Sequence, residues 1–221
     1  MIYVIGDSHS SVFCGKDHIQ PQWGHSYTKK GGVLIKNKNK FVQDNPNFCS
    51  IRSGTQLAYN MLNKTELIDN IISDYDIDKI NDYLFFYYGE IDIRAQVGFR
   101  ADRQNKKYQE INQDIVNRYI DFLLVYKNLG YKVGVIGPLA STLDHLNYTP
   151  RYKNCKVRNE MTNNFNELLK KESNKHNIIY KSFFTYMLDE NGLTKEEYLM
   201  DQLHASQLCM DFIEKEFNDI I

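Results

Sequence analysis

Two short stretches at opposite ends of the chain carry residue types that can do acyl chemistry: Gly6-Asp7-Ser8-His9-Ser10 and Asp201-Gln202-Leu203-His204. A hydroxyl becomes a nucleophile when a base takes its proton, and the base works when a carboxylate orients it. Ser8 supplies the hydroxyl. His204 and Asp201, three residues apart, supply base and orienting group from one turn of chain. Each residue also has a plainer reading. Asp7, Ser8 and Ser10 accept hydrogen bonds from the free N–H groups that open a helix, and Asp201 caps the helix after it. The two readings part on one point, whether folding carries the hydroxyl to the imidazole.

The elements that would do so are readable as patterns. Ile2-Tyr3-Val4-Ile5 is a short buried strand that Gly6 breaks. A strand running into a helix puts Ser8 at the carboxyl edge of a sheet, where open α/β sheets bind ligands. Further strands are expected at 47–51, 83–88, 131–136 and 177–183, and amphipathic helices at 55–63, 65–80, 108–129, 155–174 and 206–218. Arg158 and Asn166 fall on the solvent side of the fourth of these helices. Residues 95–107 read as a polar connection. Residues 15–46 read as a long irregular insertion in which Val33-Leu34-Ile35 is a strand candidate and Trp23, His25 and Tyr27 are candidate pocket residues. Strands separated by helices imply parallel pairing and a three-layer α/β/α sandwich, one domain over residues 1–221. Ser8, Gly54, Gly89 and the Asp201–His204 pair would then gather along one edge.

Composition removes several alternatives. With 27 basic and 28 acidic residues the net charge is −1, so no basic excess points to nucleic acid. Cys14, Cys49, Cys155 and Cys209 are scattered without C-x-x-C spacing, which fits neither a zinc nor a redox motif and suits a reduced, cytoplasmic chain. No apolar run approaches the roughly 20 residues of a membrane helix, and no signal-peptide pattern precedes the first strand. His18, His25, His145 and His176 lack ligand spacing, so no metal is expected, and no cofactor. Neither Gly-x-x-x-x-Gly-Lys nor Gly-x-Gly-x-x-Gly occurs, which argues against a nucleotide binder.

Gly6-Asp7-Ser8 at the first strand end, with Asp201-x-x-His204 near the C-terminus, resembles the SGNH or GDSL-like hydrolases. The resemblance implies a five-stranded, flavodoxin-like parallel sheet in the order 2-1-3-4-5. It implies that Ser8 forms an acyl-enzyme, that His204 takes and returns the proton, and that Asp201 orients His204. The N–H groups of Ser8 and Gly54 would form the oxyanion hole. The third block departs from the family's Gly-x-Asn-Asp: here it is Gly89-Glu90-Ile91-Asp92, and isoleucine cannot donate. Losing one such donor typically costs about 10²- to 10³-fold. Arg94 is a candidate replacement, and Asp7, His9, Gly89, Glu90, Asp92 and Arg94 are candidate substrate neighbours. Glu90 and Asp92 also read as helix caps or partners of Arg94. Gly-Glu-Ile-Asp followed by Arg resembles a branch tied to polysaccharide biosynthesis. The implied activity is a serine esterase acting on acetyl or other acyl esters of carbohydrate. The alternatives are an O-acyltransferase with the same residues, and a glycan- or protein-binding module that has lost catalysis.

Overall fold

In the computed structural model, which describes residues 1–15, 25–30, 33–37, 45–145, 152–201 and 203–221, the N-terminal apolar run is strand β1 (Ile2–Gly6). The other strands are β2 (His25–Lys30), β3 (Val33–Asn37), β4 (Phe48–Arg52), β5 (Tyr83–Tyr87), β6 (Lys132–Ile136) and β7 (Ile179–Lys181). The α-helices are α1 (Thr65–Asp74), α2 (Gly98–Gln104), α3 (Tyr108–Asn128), α4 (Cys155–Lys175) and α5 (Met210–Phe217). Trp23 and the side chains of His25 and Tyr27 lie outside the described residues.

Five parallel strands run in the order β4-β1-β5-β6-β7. This is the 2-1-3-4-5 order, with helices on both faces. The sheet is wider than expected by two strands. Beyond β4 lies β2, parallel to it, and then β3, antiparallel to β2. Part of the stretch read as irregular is therefore a hairpin, and Val33-Leu34-Ile35 belongs to β3.

Alternation along each strand sends successive side chains to opposite faces. Ile5, Ile51, Leu84, Phe86 and Val135 pack with Ile68 and Ile71 of α1, Ile115 and Phe122 of α3, and Phe165 of α4. Val4, Phe48, Phe85, Tyr87 and Ile136 pack on the other side with Phe13, Ile213 and Phe217. Strands buried on both faces need continuous apolar sequence, which β5 supplies as Tyr-Leu-Phe-Phe-Tyr.

Several boundaries differ from the sequence expectation. Residues 58–64 form a 3-10 helix, and α1 ends at Asp74. Asp76 then takes φ 50°, a turn that buries Ile77 but leaves Ile80 75% exposed. The polar stretch 95–107 is mostly helical: a π-helical turn over Asp92–Val97 leads into α2. The last helix opens as a 3-10 turn, Gln207–Cys209, before α5.

Arg158 and Asn166 were expected in solvent and are buried. The guanidinium of Arg158 donates to Ser141 Oγ at 2.6 Å, to the Thr142 carbonyl at 2.6 Å, to Asp144 at 3.2 Å and to the Lys153 carbonyl. Asn166 donates to the Pro138 carbonyl at 3.1 Å. A buried charge is tolerated when its donors are met. Here they are met by the chain leaving β6, which these two side chains fix in place.

Gly134 in β6 stands opposite Phe85 in β5. A Cβ at 134 would lie 2.2 Å from the Phe85 ring, itself packed 5.0 Å from the Phe217 ring. Gly134→Ala should therefore destabilise the fold by roughly 1–3 kcal/mol through overpacking. Urea unfolding measures this, and an unchanged midpoint would mean that Phe85 has room to move.

Candidate active site

Register decides what stands beside Ser8. Gly6 aligns with Arg52 of β4 on one side and with Tyr87 of β5 on the other. Two residues further along each chain come Ser8, Gly54 and Gly89. Ser53 N–H donates to the Gly6 carbonyl at 2.8 Å and carries the ladder one residue past β4. Gly54 and Gly89 take φ values of 93° and 120°, which a side chain would strain. Asp7 caps the 3-10 helix Ser8–Cys14, its Oδ1 accepting the His9 N–H at 2.9 Å. Among residues 4–14, Ser8 alone is not buried.

The segment after β7 brings His204 to it. His204 Nε2 lies 2.8 Å from Ser8 Oγ, and Nδ1 lies 2.8 Å from Asp201 Oδ2. The other oxygen of Asp201 accepts the N–H groups of Leu203 and His204, each at 2.7 Å. Burial raises the Asp201 carboxyl, but the hydrogen bond and charge of His204 outweigh this and hold it at about 2. An ionised carboxylate only accepts, so Nδ1 carries the proton and Nε2 is free to accept from Ser8 Oγ–H. Burial pulls the His204 imidazole below its ordinary range, against the pull of Asp201. It is therefore neutral at pH 7.

The third block does something else. Glu90 is buried and bridges an imidazole and a guanidinium: its Oε2 lies 3.0 Å from His9 Nε2, and its Oε1 accepts Arg94 Nε at 2.6 Å. The His9 ring lies 4.9 Å from the His204 ring, tilted by 37°. Burial raises Glu90, but His9 and Arg94 outweigh it and bring it to about 2. Asp7 is pushed by burial to about 6.

Asp92 faces away from this group. It accepts the N–H of Ala58 at 2.7 Å and that of Tyr59 at 3.3 Å, capping the 3-10 helix 58–64. These contacts are those of its plainer reading, a helix cap. Ile91, half-buried at the start of the π-helical turn, brings no polar group to the asparagine position. Among the described residues no His, Cys, Asp or Glu cluster could hold a metal, and no helix is long and apolar enough to cross a membrane. Sequence reasoning offered Glu90 as a partner of Arg94 but missed that His9 joins them. The i,i+4 spacing of Glu90 and Arg94 was the available signal.

No protein-family model matches the chain, and no curated protein matches it in sequence. Solved structures do match in shape. A proposed acylhydrolase from Bacteroides fragilis shares 13% identity, with 99% of this chain and 84% of that one covered, at a TM-score of 0.59. An acetylxylan esterase from Geobacillus stearothermophilus gives 11% identity, 99% and 92% coverage and 0.55. A GDSL-like lipase from Bacteroides thetaiotaomicron gives 12%, 99% and 85%, and 0.55. At such identities the likeness establishes a shared fold. That fold, a parallel sheet in the order 2-1-3-4-5 between helices, is the one these acylhydrolase, esterase and lipase structures have.

Burial pushes the Asp92 carboxyl up to about 7, against the two N–H groups that lower it. Its unfolded value is about 3.9. A carboxyl raised by folding stabilises the native state below the unfolded value, and that contribution is lost as pH rises toward 7. Asp92→Asn should therefore flatten the fall in stability between pH 4 and 7, by on the order of 1–3 kcal/mol. Urea midpoints for both proteins across that range check it; parallel curves would refute it.

Proposed function

We propose that the protein is an SGNH-type serine esterase that removes acyl groups, acetyl in particular, from carbohydrate. The observation that carries this reading is the 2.8 Å contact between Ser8 Oγ and His204 Nε2, made across 196 positions of chain. In the proposed reaction His204 takes the Ser8 proton as Oγ bonds to the ester carbonyl carbon. The tetrahedral oxyanion is held by the N–H groups of Ser8 and Gly54. Collapse breaks the bond to the alcohol oxygen, which leaves with the proton from His204. Water then adds to the acyl-enzyme by the same route and releases the acid and Ser8. General base assistance of this kind is typically worth about 10²- to 10⁴-fold.

Carbohydrate is proposed as the alcohol because structural neighbours include acetylxylan esterases. With Ile91 at the asparagine position, the reaction runs on backbone donors. An O-acyltransferase would use the same first half-reaction and let a sugar hydroxyl take the place of water.

The test pairs p-nitrophenyl acetate with an acetylated xylo-oligosaccharide, using wild type and Ser8→Ala. Wild type should hydrolyse both and label with a fluorophosphonate. Ser8→Ala should lose about 10³-fold or more and not label. Activity should fall as pH drops through the lowered titration of His204, on the acid side of the ordinary imidazole range. Equal rates for the two proteins would end the proposal.

A further inference from the structure

His9 is a second imidazole that the reaction above leaves unused. We propose that His9 is a positioning residue for His204: a protonated imidazole, clamped by Glu90 and Arg94, that lies against the His204 ring and keeps it in the neutral, proton-accepting form. The proposal rests on the reading of His204 as the base.

The geometry gives His9 an anchored place. Its Nε2 meets Glu90 at 3.0 Å, Glu90 is held from the other side by Arg94 at 2.6 Å, and its backbone N–H is held by Asp7 at 2.9 Å. His9, Glu90, Arg94 and Asp7 are each 5% exposed or less. Swinging the ring out would leave the buried Oε2 of Glu90 without its partner, which is costly.

The surrounding charges favour the imidazolium at His9. The pair of histidines is faced by the carboxyls of Asp7, Glu90 and Asp201, with the guanidinium of Arg94 opposing them; Asp92 and Arg52 act at one remove, through Asp7. Burial disfavours the charged form of His9, and the carboxylates of Asp7 and Glu90 more than offset it. Two imidazoles 4.9 Å apart do not both carry charge readily. His9 takes the charge because its carboxylate partner is 5% exposed, while the carboxylate of His204 is 39% exposed and screened by water.

His9 works through His204 rather than on the substrate. Its Nδ1 is sealed from solvent and has no partner among the described residues, a cost to the imidazolium that the carboxylates of Asp7 and Glu90 offset. A cation behind the base keeps the base unprotonated at mildly acidic pH. It also makes the imidazolium a stronger acid when the leaving group needs a proton.

The test is a histidine titration by NMR with ring-labelled protein, combined with pH profiles of p-nitrophenyl acetate hydrolysis. In wild type, His9 should remain protonated at pH 7 while His204 is neutral. In His9→Gln, which keeps a donor for Glu90, His204 should titrate at higher pH. The ratio of kcat/KM at pH 8 to that at pH 5 should rise roughly 3- to 10-fold. A residue that only packs would lower the Tm and leave both the titration and the ratio unchanged, and that result would overturn the proposal. A neutral His9 at pH 6 in wild type would overturn it without any variant. The wild-type titration needs no turnover, so it stands apart from failure of the esterase reading, which Ser8 labelling reports.

Discussion

The placement of β1 between β4 and β5, parallel to both and in fixed register, is the constraint on which the rest of the structure depends. Parallel pairing makes all three chains leave the sheet on the same side. Register puts Gly6 level with Arg52 and Tyr87, each two residues before Ser8, Gly54 and Gly89 in its own chain. Neither glycine could be replaced without strain, because each sits at positive φ where its chain turns out of the ladder. A slip of one residue would send Val4 and Ile5 to each other's faces. The two apolar layers of Ile, Val and Phe that sandwich the sheet therefore also aim the serine. Core packing and site geometry are one specification here.

Around that edge the molecule holds an unusual amount of ionisable material away from water. His9, Glu90, Arg94, Asp7 and Asp92 are all buried within a few residues of strand ends. Each is costly alone, and pairing or capping offsets part of the cost, with Asp7 Oδ2 and His9 Nδ1 left without partners among the described residues. Glu90 joins His9 to Arg94, Asp92 caps a helix, and Asp7 caps the turn that presents Ser8. Arg158 does the same further along the sheet, where it binds the chain leaving β6 through three acceptors and the turn before α4 through a fourth, the Lys153 carbonyl. Two polar clamps thus brace the rim from either side of β5 and β6.

Much of this was legible in the amino-acid sequence, and the reasons for what was not are physical. The five parallel strands announced themselves as short runs rich in apolar residues, four of them followed within a few residues by Gly or Pro. Their order came from the likeness of Gly6-Asp7-Ser8 and Asp201-x-x-His204 to a known pattern, since periodicity carries no order. Of the β2–β3 hairpin only β3 was legible, through Val33-Leu34-Ile35; β2 was hidden because His-Ser-Tyr-Thr-Lys-Lys lacks the apolar alternation by which a strand is recognised. Arg158 and Asn166 were put in solvent because an apolar stripe defines only one buried face of a helix. The second buried face of α4 is polar and meets a loop. The His9–Glu90 contact joins residues 81 positions apart, and the Asp92–Ala58 contact spans 34. No local window contains such pairs, so Asp92 could only be ranked between two roles until the fold chose one.

The π-helical turn at Asp92–Val97 carries a consequence for how this segment can vary in length. Such a turn holds one residue more than an α-helical turn of the same span. Asp92 and Arg94, two residues apart at its start, serve different neighbours. Excising a single residue from the wide turn would restore ordinary pitch with the flanking turns still in phase. Excising one from between Glu90 and Arg94 would also bring that pair from four positions apart to three, and the guanidinium would meet its carboxylate from a different angle. A change of length in this stretch is thus felt in which side chains meet more than in how far the chain reaches.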